Sequence, residues 1–243
     1  MVSKSQIKFV RQLAQKKQRD QHDLFVAEGH KVVQEFINEN YQLHQLFTSD
    51  LSLFSSHQAI VVSQSEMKAM SALKTPSDAL AVFAKPNEQT LSQSKLILAL
   101  ESIQDPGNLG TIIRLCDWFG IQDIVCSLDT VDCYNPKVIQ ASMGSISRVN
   151  ITYLDLQKTL ENNSLKTYGT YMQGDSIFEI DEIKNGVILF GNEANGINPH
   201  LSKLIDKKLS IPRFGKLKKT ESLNVASALS IVLSENARKS IEK

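Results

Sequence analysis

The chain has 243 residues, of which 42% are hydrophobic, and its formal net charge at pH 7 is +1. This composition is typical of a globular protein, and no apolar run reaches the roughly 18 residues that a membrane-spanning helix needs. The first residues, MVSKSQIKFVRQ, lack the apolar core of a secretory signal. Cys116, Cys126 and Cys133 show no CxxC spacing, and the histidines are scattered. We therefore expect a reducing, cytoplasmic location and no metal site.

The basic side chains form two clusters. The first precedes the first acidic residue, Asp20, and the second follows residue 202 with Asp206 as its only acidic neighbour, whereas residues 95–202 are acidic on balance. Such clusters on a nearly neutral chain indicate anion-binding surfaces, although two solvated faces would look the same. The clusters are Lys4, Lys8, Arg11, Lys16, Lys17 and Arg19, and then Lys203, Lys207, Lys208, Arg213, Lys216, Lys218 and Lys219.

The first part of the chain has the pattern of a small α/β unit. Apolar residues at helical spacing, such as Ile7 and Val10, lie on the side of the first helix opposite its basic residues. The polar segment 84–95, which contains Pro86, is typical of a linker. In chain order, the patterns predict helices over 4–18 and 28–39, strands near 44–48 and 59–63, a helix near 64–73 and a strand over 79–84.

The second part alternates strands and helices. Its strands are apolar throughout, as expected for a parallel sheet covered on both faces. The pattern therefore predicts two domains, over residues 1–88 and 95–243. In chain order, the second domain has strand KLILALES, helix LGTIIRLCDWFG, strand DIVCS, helix NPKVIQASMGS, strand RVNITYL, a short helix near 155–162, strands KTYGTYM and GVILFGNE, helix NPHLSKLID, strand KKLSIP and a helix within TESLNVASALSIVLSEN.

Ligands of such sheets bind beyond the carboxyl ends of the strands, and three strand ends here carry unusual loops. In the first loop, ESIQDPGNLGTIIRLCD, Asn108 occupies the expected N-cap position of a helix. Arg114 follows six residues later, on the side opposite the apolar stripe. A solvent-facing arginine beneath a capping asparagine is the alternative interpretation.

The other two loops also combine glycine with polar residues. In LFGNEANGI, Gly191 and Gly196 permit a close backbone approach to a ligand, but neither a GxGxxG fingerprint nor a P-loop is present. In LSIPRFGKLKKTESLNVA, a basic loop leads to Ser222 and Asn224 at the start of the last helix. These two side chains either cap the helix or hold a ligand, and the two roles are compatible.

In their order and separation, the three loops resemble the three motifs of the SpoU (TrmH-like) family of RNA ribose 2′-O-methyltransferases, within the SPOUT class. The first family motif pairs an Asn with an Arg six residues later, like Asn108 and Arg114. The second has the form Gly-x-Glu-x-x-Gly, as at residues 191–196. The third has Ile-Pro, a glycine loop and Ser-Leu-Asn-Val, as at 211–212 and 222–225. This resemblance covers residues 95–240.

The N-terminal part resembles, more loosely, the ribosomal-protein-like α/β RNA-binding domain that many members carry. The matching stretches are KKQRDQHDLFVAEGHKVVQE and TPSDALAVFAKP. The loop between Ile211 and Ser222 is a few residues longer than the commonest family form, in the stretch GKLKKTE. The first basic cluster, Lys4, Lys8, Arg11, Lys16, Lys17 and Arg19, is the corresponding RNA-binding candidate.

The resemblance implies S-adenosylmethionine as methyl donor, held in a deep trefoil knot of the C-terminal segments. Pattern alone would have predicted an ordinary doubly wound sheet, because knots are nearly absent from proteins. In the family, the knotted face also forms a homodimer, so the resemblance implies a dimer here. The implied cofactor-binding positions are Thr170, Gly191, Gly196, Ile211 and Leu223.

The implied catalytic residues are Arg114, Asn108, Glu193, Ser222 and Asn224. Arg114 would act as a general base, stabilise the developing alkoxide or clamp a neighbouring phosphate. Asn108 would position the arginine or the ribose, and Glu193 would orient both Asn108 and Arg114, the latter through an ion pair. Ser222 and Asn224 would hydrogen-bond the ribose or its phosphate.

The resulting hypothesis is S-adenosylmethionine-dependent methylation of a ribose 2′-hydroxyl in structured RNA, with ribosomal RNA preferred over transfer RNA. Two alternatives stay open. One is an RNA-binding ribosome-assembly factor on the same fold that has lost catalysis. The other is a small-molecule α/β enzyme whose basic clusters are incidental.

Overall fold

A computed structural model describes residues 2–87, 91, 95–215, 217 and 222–241. The helices are α1 (Lys4–Gln12), α2 (Lys16–His22), α3 (His30–Asn38), α4 (Gln64–Met70), α5 (Pro106–Phe119), α6 (Pro136–Ser142), α7 (Leu156–Glu161), α8 (Pro199–Ser202) and α9 (Val225–Ile241). The strands are β1 (Leu24–Glu28), β2 (Leu43–Thr48), β3 (Ile60–Val61), β4 (Ala79–Ala84), β5 (Leu96–Leu100), β6 (Asp123–Ser127), β7 (Asn150–Leu154), β8 (Thr167–Ser176), β9 (Gly186–Phe190) and β10 (Lys207–Ser210).

The chain divides into two compact units. The first unit comprises Met1–Glu88 together with Asp132–Arg148, and the second comprises Gln89–Val131 together with Val149–Lys243. One division falls near residue 88, within the segment 84–95. The segment Asp132–Arg148, which includes α6, differs from the expected boundaries because it packs with the first unit.

The first unit is built on a four-stranded sheet with the order β1-β4-β2-β3. Strand β4 is antiparallel to both β1 and β2, and β3 runs parallel to β2. Strand β1 is absent from the sequence prediction, which has no element between its first two helices. All five residues of β1 are buried, so no polar alternation marks the strand.

The predicted helix over 4–18 is two helices in the structure. Helix α1 begins at a capping box, in which Ser3 and Gln6 each accept a backbone N–H from the other, and it ends at Gln12. The guanidinium of Arg19 donates to the carbonyl oxygens of Leu13 and Ala14 at 2.9 and 2.8 Å. These bonds satisfy carbonyls that the break between α1 and α2 would otherwise leave unpaired.

The second unit contains a six-stranded sheet with the order β10-β8-β9-β5-β6-β7. Every strand pair in it is parallel, which confirms the predicted parallel α/β sheet. Strands β5 and β9 at its centre are buried at every position. In the part of the chain that the structure describes, no helix is long and apolar enough to span a membrane.

Candidate active site

Three of the implied cofactor positions lie where the pairing of neighbouring strands of the parallel sheet ends. Ile211 follows β10, Gly191 follows β9, and Thr170 follows Gly169, the last residue of β8 that pairs with β9. The Thr170 hydroxyl donates to the carbonyl of Leu189 at 3.1 Å. Since parallel strands end at the same edge of a sheet, these positions lie along one rim, where ligands of such sheets bind.

A chain of hydrogen bonds brings the three motifs together. The Nδ2 group of Asn108 donates to Oε1 of Glu193 at 2.8 Å, and Nδ2 of Asn224 donates to Oδ1 of Asn108 at 2.9 Å. Residues separated by more than 80 positions in the sequence therefore meet at this rim. The structure thus connects one polar residue from each predicted motif.

The helix caps differ from the prediction. Asp105, and not Asn108, is the N-cap of α5, and its side chain accepts the backbone N–H of Asn108. The side chain of Asn108 is therefore available to Glu193 and Asn224. At α9, Oδ1 of Asn224 accepts the N–H groups of Ala226 and Ser227 at 3.0 and 3.2 Å. Asn224 thus caps the helix and also bonds Asn108.

The turn at 191–196 is closed by its own backbone. Asn192 and Gly196 exchange two hydrogen bonds of 2.9 and 3.1 Å. A side chain on Gly191 would approach the carbonyl carbon of Gly196 to 2.3 Å, so only glycine fits there. Gly196 has a φ of +68°, the left-handed region that glycine adopts without strain. This closure places Glu193 beside Asn108.

Asn192 connects this turn to the loop after β5. Its Oδ1 accepts the N–H groups of Ala194 and Asn195, and its Nδ2 donates to the carbonyl of Ser102 at 2.7 Å. The interpretation of the sequence missed this role of Asn192. The sequence does indicate such a role, because Asn192 lies between two glycines. Asparagine side chains in turns often bond the backbone two positions further on, as in Asx turns.

The loop after β6 holds Ser102 in turn. Ser102 has a φ of +53°, and its hydroxyl donates to Asp129. The hydroxyl of Ser127 donates to the other oxygen of Asp129 at 2.6 Å. Hydrogen bonds from Ser102 and Ser127 lower the pKa of Asp129, which therefore stays ionised at neutral pH.

Glu101 supports the far end of the turn. Its buried carboxylate accepts the backbone N–H of Asn198 at 2.9 Å. Burial raises the pKa of Glu101, and the bond from Asn198 opposes that rise. Residues on both sides of the turn are thus tied to the end of β5.

Arg114 lies on α5 on the side away from the buried stripe, as predicted. Leu109, Ile112 and Ile113 on that stripe are fully buried, and Arg114 is exposed. Its guanidinium has no hydrogen-bond or ion-pair partner among the residues that the structure describes. The expected ion pair with Glu193 is therefore not formed here, and Glu193 bonds Asn108 instead.

Two further candidates of the third motif are exposed to solvent. Ser222 and Leu223 precede α9, and the Ser222 hydroxyl bonds no other described residue. Ser222 is therefore not the cap of α9. Lys216, Lys218 and Lys219, and most of the longer loop, lie outside the described residues.

The RNA-binding candidates of the first unit fall into three groups. Lys4, Lys8, Arg11 and Lys17 are exposed and have no acidic partner in the described part of the chain. Lys16 is exposed but pairs with Asp20 at 2.6 Å. Arg19 is 2% exposed and forms an ion pair with Asp132, so we correct its assignment from RNA contact to structural support.

Two protein families match this chain, one in each part. Residues 95–234 match the SpoU rRNA Methylase family, and residues 4–81 match the MRM3-like substrate binding domain. The 23S rRNA (guanosine(2553)-2'-O)-methyltransferase RlmP of Bacillus subtilis is 29% identical over 236 residues, which cover 93% of this chain and 94% of RlmP.

Solved structures agree with this result. A TrmH-family structure from Porphyromonas gingivalis has a TM-score of 0.89 at 35% identity, covering 98% of this chain and 99% of its own. An AdoMet-bound rRNA methyltransferase from Sinorhizobium meliloti has a TM-score of 0.85 at 26% identity, covering 98% and 97%. The chain belongs to the SpoU rRNA methylase family.

Proposed function

We propose that this protein transfers the methyl group of S-adenosylmethionine to a ribose 2′-hydroxyl in RNA, with ribosomal RNA as its substrate. The observation that carries the proposal is the hydrogen-bonded chain Glu193–Asn108–Asn224 at the rim of the parallel sheet. Family membership and the match to RlmP over nearly the whole chain support both the reaction and the RNA class.

We propose that the adenosyl group of the cofactor binds at this rim. The rim is formed where β9 and β10 end, and a side chain placed on Gly196 would meet no atom within 4 Å, so the turn leaves open space there. Thr170, Gly191, Gly196, Ile211 and Leu223 would hold the cofactor. When bound, S-adenosylmethionine supplies an electrophilic methyl carbon on a sulfonium. The AdoMet complex of the Sinorhizobium meliloti structure supports S-adenosylmethionine as the cofactor.

The amide groups of the site have defined orientations. Glu193 accepts from Nδ2 of Asn108, so Oδ1 of Asn108 must face Asn224. Each of the two amide nitrogens retains a second N–H that can donate to a ribose or phosphate oxygen. We infer that these two N–H groups and the Ser222 hydroxyl align the ribose for an in-line displacement.

Arg114 completes the proposed site as the cation. A guanidinium holds its protons at neutral pH, which favours stabilisation of the developing alkoxide or of a neighbouring phosphate over proton abstraction. Its lack of a described partner leaves its donors available to RNA. The five positions Asn108, Arg114, Glu193, Ser222 and Asn224 all carry groups able to act on RNA, which argues against a catalytically silent assembly factor.

We also propose a homodimer. Helices α5 and α9 border an open, largely apolar groove of about 570 Å³, lined by Trp118, Phe119, Phe178 and Ile231 among others. Trp118 is 82% exposed, which is unusual for so large an apolar side chain. A second copy of the chain would cover this face. The family resemblance implies the same dimer.

The deep trefoil knot is a further part of this proposal. The chain leaves the sheet at the edge strand β10, and Asn224 then bonds Asn108, which follows β5, three strands away. This return of Asn224 from the edge of the sheet to the end of β5 supports the proposed knot. Cys116, Cys126 and Cys133 are buried and form no disulfide, which is compatible with the reducing, cytoplasmic location that we also propose.

Mapping 2′-O-methyl groups in total RNA from cells with and without this gene tests the proposal. We expect at least one ribosomal RNA site to lose its methyl group in the deleted strain and to regain it when the gene is restored. Loss confined to transfer RNA would replace the proposed substrate, and an unchanged methylation map would contradict the proposed activity.

A further inference from the structure

The first unit has a groove beside the N-terminal helix that the proposed chemistry does not use. Its volume is about 640 Å³, within the range of small-ligand pockets and large enough for one nucleotide. Every residue that lines it belongs to the first unit. The role inferred for this groove rests on the proposed function, because it concerns how the same RNA substrate is held.

Helix α1 forms a basic wall of the groove. Lys4, Ile7, Lys8 and Arg11 line it at positions i, i+3, i+4 and i+7, which share one face of a helix. The three cations are exposed and have no carboxylate partner within the described chain, in contrast to Lys16, which pairs with Asp20. This wall suits the phosphates of a nucleic acid.

The opposite side is apolar and acidic. Val26 and Met70 are buried residues at its floor, and Glu28 lies beside them. The carboxylate of Glu28 accepts the Ser71 hydroxyl at 2.6 Å and the backbone N–H of Ala72 at 2.7 Å. These bonds fix the 71–72 segment as a wall of the groove.

The distribution of charge decides which part of a nucleotide enters. A phosphate placed against the floor would lose water and meet the negative charge of Glu28, so it would be disfavoured there. A neutral nucleobase can cover Val26 and Met70 while its phosphates contact Lys4, Lys8 and Arg11. A base can turn inward in this way only if it is unpaired.

We propose that this groove binds an unpaired nucleotide of the RNA substrate, with its base on the apolar floor and its flanking phosphates on α1. The first unit would then select single-stranded or bulged RNA over continuous duplex. A surface that recognised only the phosphate backbone would need cations alone, without an apolar floor between them.

The test uses the full-length protein and two probes, a fluorescent single-stranded oligoribonucleotide and the blunt duplex of the same sequence. Ala72→Phe fills the groove and keeps the backbone N–H that Glu28 accepts. Lys8→Gln combined with Arg11→Gln removes two cations. Matched controls are Ser56→Phe and Lys31→Gln, two exposed positions of the same unit outside the groove.

We expect the wild-type protein to bind the single strand more tightly than the duplex. Ala72→Phe should weaken single-strand binding by about 5- to 100-fold, the range for loss of one stacked base, and leave duplex binding and salt dependence unchanged. The double variant should reduce the slope of log affinity against log salt by about 0.7 for each removed cation. Thermal melting checks that the variants fold.

Unchanged single-strand affinity in Ala72→Phe, or equal wild-type affinity for the two probes, would overturn the proposal. An Ala72→Phe protein that melts like wild type but binds the duplex and the single strand more weakly by the same factor would also overturn the proposal. Methyl transfer is measured in parallel with wild-type protein. If the protein transfers no methyl group but Ala72→Phe still weakens single-strand binding, the proposed activity alone is wrong. If methylation is normal but Ala72→Phe leaves single-strand binding unchanged, the groove proposal alone is wrong.

Discussion

At the scale of single residues, the site depends on amide side chains with two uses each. Asn224 caps α9 and bonds Asn108, and Asn192 closes the glycine turn and bonds Ser102. Asparagine serves both purposes because one amide carries an acceptor and two donors. Each of these residues therefore fixes the position of a group that would face the substrate.

Asn192 should act as a positioning residue. Replacing it by alanine removes the bonds to the turn and to Ser102, so Glu193 and Asn108 should lose their alignment. We expect Asn192→Ala to lower kcat by up to about 100-fold with little change in the KM for RNA. Asn192→Asp keeps the acceptors of the turn and should recover part of that loss.

Asn162→Ala is the matched control in steady-state methyl-transfer assays. It removes an amide that donates to a backbone carbonyl, that of Lys158, in the same unit. We expect it to leave kcat unchanged. A wild-type kcat in Asn192→Ala, or a loss seen only as a lower melting temperature, would rule out the positioning role.

Asp129 gives a prediction on pH. Hydrogen bonds from Ser102 and Ser127 lower its pKa in the folded state, so it contributes stability above its unfolded pKa of about 3.9 and loses that contribution as the pH falls through the folded value. Asp129→Asn should therefore reduce the free energy of unfolding at pH 7.

Urea unfolding of wild type and Asp129→Asn at a series of pH values measures this difference. The two curves should converge at acid pH, because protonation weakens the same bonds in the wild type. Asp181→Asn, at an exposed carboxylate of the same unit, serves as the control. A gap between wild type and variant that stays constant down to pH 3 would show that the lowered pKa is not its origin.

At the scale of elements, the break between α1 and α2 illustrates the limit of periodicity. The helical pattern continues through residues 13–15, but the structure places two helices there. The cause is Arg19, whose guanidinium bonds Leu13, Ala14 and Asp132. Asp132 lies 113 positions away in the sequence, so no local pattern could indicate the pair.

Arg19→Ala should destabilise the protein strongly. It would remove the ion-pair partner of Asp132 and the donor to the carbonyl groups of Leu13 and Ala14 at a largely buried site, at a cost of about 3 kcal/mol or more. The free energy of unfolding from urea titration measures this loss. Lys17→Ala, two positions earlier in α2 at an exposed position, should change it by less than about 0.5 kcal/mol. Equal stabilities of the two variants would refute the structural role of Arg19.

The expected contact between Glu193 and Asn108 is present, whereas the expected ion pair between Glu193 and Arg114 is not formed. The bond between Asn224 and Asn108 is an addition of the structure, since parallel strands bring their loops to one rim. The Ser102–Asp129 support escaped prediction because hydroxyl and carboxylate residues in loops carry no periodic signal. Asp105 and Asn108 are both residue types that cap helices, so the pattern alone does not distinguish them. The structure has Asp105 as the N-cap, followed by Pro106 at the start of α5.

At the scale of the whole molecule, an exposed apolar face lies on the second unit between α5 and α9. Trp118 lies at this groove, and Phe178 and Phe214 lie with ring centroids 6.2 Å apart, 42% and 83% exposed. Burial of such a surface against a second copy would stabilise an association by the hydrophobic effect. This expectation makes the oligomeric state part of the test.

Trp118→Glu should prevent the proposed dimer, because burial of an unpaired carboxylate in an apolar interface is costly. Sedimentation velocity should show a dimer for wild type and a monomer for this variant. Leu51→Glu, at a 52% exposed apolar residue of the first unit, should remain a dimer. A monomeric wild type, or a dimeric Trp118→Glu protein, would contradict the proposed interface.

The most direct measurement is transfer of an isotopically labelled methyl group from S-adenosylmethionine to purified ribosomal RNA, followed by nucleoside analysis. We predict a 2′-O-methylated nucleoside with the wild-type protein. With Arg114→Ala, we predict its loss by at least about 100-fold, while calorimetry shows unchanged S-adenosylmethionine binding. A folded wild-type protein that binds S-adenosylmethionine and transfers no methyl group, or an Arg114→Ala variant with full activity, would contradict the proposed mechanism.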